Sequence, residues 1–112
     1  MAWNSLPFES ILVTILAVLF AAAGVVNLAR RGAVKRDFAR WGYPVWFPLL
    51  CGALELSSAA LLLGRQTRVF GLTLAGAIMI GALFTLVRNR EPFRHLAPAL
   101  IFSALIVVTA AV

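Results

Sequence analysis

Glu55 is an acid set in the middle of a long apolar run. The run reaches from Val45 to Leu63, about 19 residues, which at about 1.5 Å per residue is enough to cross a hydrocarbon core of roughly 30 Å. A carboxyl at that depth costs on the order of 3 kcal/mol unless it is neutral, paired or wetted. That cost makes Glu55 the first candidate for a working group. The chemistry it suits is general acid or base catalysis on a lipophilic small molecule: isomerisation, epoxide opening or cyclisation, none of which needs a metal, a thiol or another cofactor. Helical spacing of three and four residues puts Cys51, Gly52, Ser58 and Ala59 on the same face, all small enough to leave space in front of the carboxyl. The competing reading is a structural acid hydrogen-bonded to a neighbouring helix.

Four further residues are candidates for lining such a pocket. Asn27 closes a stripe of small and weakly polar residues, Thr14, Ala17, Ala21 and Gly24, in the first apolar run. Its amide either reaches the pocket or is satisfied by water at the end of a helix. Thr85 closes a similar stripe, Thr73, Ala77 and Gly81, in the third run. Small stripes of this kind suit close helix packing in a membrane. Trp41 and Tyr43, with Trp46, form either an interfacial aromatic belt or the rim of a cavity. The expected site is therefore Glu55 as the catalytic group, with Asn27, Thr85, Trp41, Tyr43, Ser58 and Cys51 against the substrate.

The elements that must position these residues follow from composition. Of 112 residues, 62% are hydrophobic and only 12% charged, far from the roughly 25% charged content of a soluble domain. The pattern is that of an integral membrane protein. Four apolar runs, 8–28, 45–63, 69–87 and 96–112, are long enough to span, and short connectors leave an up-down antiparallel four-helix bundle as the expected all-α architecture, in one membrane domain over 1–112. Ala21-Ala22-Ala23 could pass for a signal-peptide cleavage site, but Glu9 and the lack of a basic residue ahead of the run argue that the first helix is retained.

The net charge of +6 is distributed by loop. Arg30, Arg31, Lys35, Arg36 and Arg40 fall in the first connector, Arg65 and Arg68 in the second, and Arg88, Arg90 and Arg94 in the third. Loops 29–44 and 88–95 are therefore expected on the cytoplasmic side, with both termini outside. Val34, Phe38 and Trp41 predict a short amphipathic turn on the membrane surface, and Trp3 an interface anchor. Gly32 is expected to break the first helix, and Tyr43-Pro44 to stiffen the corner before the second.

Several function classes are excluded or disfavoured. The basic residues lie between apolar runs, not on an aromatic-basic soluble surface, so nucleic acid is not an expected partner. The single cysteine, Cys51, rules out an intrachain disulfide, a CxxC pair and a thiolate metal site. No phosphate loop, nucleophile elbow or HExxH is present, and the lone His95 beside Arg94 reads as solvated or facing headgroups.

Ala23-Gly24-Val25 with Leu28, Phe38-Ala39-Arg40-Trp41-Gly42-Tyr43-Pro44, Gly52-Ala53-Leu54-Glu55-Leu56, Gly81-Ala82 with Thr85, and Ala97-Pro98-Ala99 together resemble the DoxX-like family of small four-helix membrane proteins. The resemblance implies a compact bundle in a bacterial cytoplasmic membrane, with the glutamate of the second helix as a polar landmark. Members that give the family its name resemble membrane subunits of a thiosulfate:quinone oxidoreductase. That implies a second functional class, a quinone-associated subunit docking a soluble oxidoreductase through its basic loops; a third is a structural or assembly role. Such proteins often carry lysine where this chain has Asn27 and histidine where it has Leu86, so a Lys–Glu pair is unavailable to Glu55. Membrane lipid and a lipophilic small molecule are the expected partners, and a homo-oligomer stays open.

Overall fold

The computed structural model describes residues 6–29 and 32–112; Trp3, Arg30 and Arg31 lie outside them. The described residues form five helices and no strand: α1 (Leu6–Ala29), α2 (Ala33–Arg40), α3 (Phe47–Leu63), α4 (Arg68–Arg88) and α5 (Phe93–Ala111). Within α1, α4 and α5, the stretches Phe8–Ala29, Arg68–Arg88 and Phe93–Ala111 are long and apolar enough to cross a membrane. The fourth apolar helix, α3, has 17 residues. The chain is 47 Å along its longest axis, close to a bilayer with its headgroups.

The long helices pack in a ring, α1 on α3, α3 on α4, α4 on α5, with α5 returning to α1. Phe20 and Phe102 meet across that last seam with centroids 5.3 Å apart. The core is apolar and small-grained: Val13, Leu16, Ala17, Phe20, Ala59, Leu62, Ala75, Met79, Ala99 and Ile106. The outside is apolar too, with Ile11, Ile15, Val18, Val25, Phe70, Ile80, Phe84 and Ile101 all exposed. A soluble monomer does not carry apolar surface on this scale, so lipid is the solvent that fits it. This is an all-helical, multi-pass membrane protein.

Close approach sets the α1–α3 seam. A Cβ built on Gly52 would lie 2.7 Å from the Gly24 carbonyl oxygen and 2.7 Å from Leu28 Cγ, and one on Gly24 would lie 2.9 Å from the Gly52 carbonyl oxygen. The backbones touch there because neither residue has a side chain, which is how membrane helices maximise van der Waals contact. On α3, Ser58 donates from Oγ to the Gly71 carbonyl of α4 at 3.0 Å, beside a second glycine contact.

The two polar ends are closed differently. At the end where α1 and α4 begin, Arg68 donates to Glu9 at 3.0 Å and to the Leu62 carbonyl at 3.1 Å. At the opposite end α2 buries no residue and is bracketed by Gly32 (φ 49°) and Gly42 (φ 87°), left-handed positions that only glycine adopts cheaply. The expected surface turn is thus a two-turn helix between two glycine corners.

The small stripes are only partly inward. Thr14 is exposed, and so are Thr73, Ala77 and Gly81, while Gly71, Ala75, Met79 and Thr85 are buried on α4. A residue every four positions advances about 40° per step around a helix of 3.6 residues per turn, so the stripe rotates about 120° between Thr73 and Thr85. One end of it faces lipid and the other the bundle.

Candidate functional site

Glu55 is the third of six buried residues along α3, at 6% exposure, turned into the bundle and not toward lipid. Its partner among the described residues is Asn27: the amide Nδ2 donates to Oε1 at 2.5 Å. Gly24 and Asn27 are one turn apart on α1, and Gly52 and Glu55 one turn apart on α3. The glycine crossing therefore brings the two polar side chains within reach. Asn27 is held by this interhelical hydrogen bond, and it does not line the cavity described below. Oε1 takes one donor, and a carboxyl group has capacity for several more.

The residues around Glu55 do not leave the space that their size suggested. Gly52 is covered by Gly24 and Leu28, Ala59 joins the core, and Ser58 is bonded to α4. Small side chains here let helices approach instead of opening a void. Cys51 is half-buried with a free thiol.

The other expected residues gather nearer the end of the bundle that carries α2. Tyr43 stacks on Phe47 with centroids 4.4 Å apart, and its hydroxyl lies 2.6 Å from Thr85 Oγ1. This ties the α2–α3 corner to α4. Trp41 instead donates from Nε1 to Glu91 Oε2 at 3.1 Å. A cavity of about 190 Å³ opens beside Tyr43, lined by Ala29, Lys35, Phe38, Ala39, Tyr43, Pro44, Val45 and Pro48. Its walls take in Tyr43 but not Glu55, Asn27, Thr85, Trp41, Ser58 or Cys51. Pro48, Gly52 and Glu55 follow one another along one face of α3, and Leu28 rests on Gly52 between the level of the cavity and that of the carboxyl.

Sequence reading passed over Glu91. Its carboxylate receives Arg40, Trp41 and, at 2.6 Å, His95, and its side chain is 4% exposed. The Arg40 guanidinium first, then His95 and Trp41, hold its pKa down to about 2. Arg40 also reaches Asp37 at 2.9 Å, so one arginine ties α2 to itself and to the α4–α5 loop. The available signal was a lone acid among Arg88, Arg90 and Arg94, followed by a proline. His95, expected to be solvated, is half-exposed and spends its ring nitrogen on this acid. Among the described residues no three His, Cys, Asp or Glu side chains gather where they could hold a metal ion.

The sequence profile of the DoxX-like family matches residues 11–109, nearly the whole chain. The chain belongs to the DoxX-like family. The match covers all four apolar helices, α2, the Gly24–Gly52 crossing, the Asn27–Glu55 bond and the Glu91 clasp, so these features sit within the family's extent and not on an appendage to it. No curated protein and no solved structure matches this DoxX-like chain.

Proposed function

We propose that this DoxX-like protein binds a lipophilic small molecule in the α2 half of its bundle and uses Glu55 as the polar contact and proton-transfer group. The observation that carries the reading is the buried carboxyl at the centre of α3, whose one side-chain partner among the described residues is the Asn27 amide. In lipid such a group is costly, and a ligand hydroxyl, carbonyl or epoxide oxygen beside it would offset part of that cost. The ligand enters at the cavity next to Tyr43, and displacement of the Leu28 side chain from Gly52 gives it a way to the acid. All four apolar helices cross the bacterial cytoplasmic membrane in this reading, with loops 29–44 and 88–95 in the cytoplasm.

A second reading has its own support. The Asn27–Glu55 bond joins α1 to α3 beside their closest approach, which is where an interhelical pin would serve packing alone. The two readings separate in one experiment. Wild type and Glu55→Gln are purified in the same detergent, extracted with organic solvent, and the extracts compared by mass spectrometry alongside unfolding curves. A lipophilic species retained by wild type and lost from a still-folded variant supports the ligand site. Equal extracts with a lower stability leave only the pin.

A further inference from the structure

The cavity beside Tyr43 has a division of labour in its walls. Lys35, Phe38 and Ala39, at helical spacings of three and four, put one face of α2 over it, while Asp37 and Arg40 lie on another face. Lys35 is the one charged side chain in a lining that is otherwise alanine, valine, proline, phenylalanine and tyrosine. The neighbouring cation Arg40 is committed to Asp37 and Glu91. Lys35 makes no ion pair among the described residues. An uncommitted ammonium at the rim of an apolar hollow, on a surface helix of a chain with net charge +6, is complementary to an anion that carries an apolar body. A free inorganic phosphate needs several donors to replace its water, and this lining offers one cation; the apolar walls must supply the rest of the recognition.

We propose that the cavity formed by α2 and the start of α3 is a binding site for an anionic membrane phospholipid, with Lys35 on the phosphate and the glycerol and first methylenes against Phe38, Tyr43 and Pro48. The inference rests on the reading of this end as the ligand's way in, and is independent of any proton transfer at Glu55. Trp46, exposed beside the lining residue Val45, stands where aromatic side chains mark the headgroup level.

The test uses the full chain in nanodiscs of equal parts phosphatidylglycerol and phosphatidylcholine, released for native mass spectrometry. Wild type is expected to retain phosphatidylglycerol in preference. Lys35→Gln lowers that retention about tenfold, the effect of removing one charge-assisted hydrogen bond. Ala39→Trp, which fills the hollow and keeps every charge, lowers it as well. Arg94→Gln, away from the lining, and Glu55→Gln leave it as in wild type. Equal losses for Lys35→Gln and Arg94→Gln would reduce the effect to a general basic field and overturn the site, as would full retention by Ala39→Trp. Displacement of the lipid by inorganic phosphate at matched concentration would overturn the lipid as occupant. Loss in Lys35→Gln with retention in Glu55→Gln upholds the inference even where the proton-transfer reading fails.

Discussion

Replacing Gly52 by alanine probes the contact on which the Glu55 site is built. The added methyl would meet the Gly24 carbonyl oxygen and Leu28 Cγ at 2.7 Å and the Leu28 backbone nitrogen at 3.0 Å. Leu28 can swing its side chain away, but the two backbone atoms cannot yield unless α1 and α3 separate by several tenths of an ångström. Overpacking of this kind costs about 1–3 kcal/mol. Gly81→Ala is the control, since a Cβ there meets nothing within 4 Å; a helical Gly→Ala change in open surroundings is neutral or stabilising by about 0.5–1 kcal/mol. The same chemical change should therefore act with opposite sign at the two positions. Unfolding in mixed detergent–SDS micelles, followed by helical circular dichroism, reads both. Gly52→Ala as benign as Gly81→Ala would refute the crossing, and with it the placement of Asn27 against Glu55.

A double-mutant cycle on Asn27→Ala and Glu55→Ala should give a coupling of about 0.6 kcal/mol and at most about 1.7 kcal/mol, the range measured for hydrogen bonds between membrane helices; additivity of the two changes would remove the bond. Glu91 titrates at about 2 in the folded chain against roughly 4.3 unfolded, so its clasp contributes fully above the unfolded value and fades as pH falls toward 2. The stability difference between wild type and Glu91→Gln should accordingly be flat above about pH 5 and shrink below it; a difference that persists at pH 2 would show that the carboxylate charge is not its source. In a Cys51→Ser background, a cysteine at position 94 should react with an impermeant maleimide only from the cytoplasmic side and one at position 65 only from the outside; the reverse pattern would invert the proposed orientation.

The helical class, the presence of four apolar helices and the inward burial of Glu55 were legible because they follow from hydropathy and from the cost of charge in lipid, both properties of composition along the chain. Helix ends moved by a few residues: α5 starts at Phe93 and α3 at Phe47, where Pro48 falls at the helix start instead of kinking it. The Asn27–Glu55 bond was half-legible, since each residue stood out but their pairing depends on two glycines 28 residues apart meeting face to face. Rotational drift hid the lipid-facing end of the α4 stripe. The Glu91 clasp was not legible, because a carboxylate in the α4–α5 connector gains its role from partners on two other elements, Arg40 and Trp41 at the end of α2 and His95 in α5, and no sequence period links them. Of the cavity only Tyr43 stood out beforehand; its other walls come together because α2 folds over the start of α3.

In the proposed function Glu55 serves a ligand before it serves the fold. It is tested most directly by measuring, in one preparation each of wild type and Glu55→Gln, both the amount of bound lipophilic molecule and the free energy of unfolding. Ligand retention is expected to collapse while stability changes by no more than the single hydrogen bond to Asn27, about 1 kcal/mol. Unchanged retention with a larger loss of stability would contradict it and leave the carboxyl as a packing device.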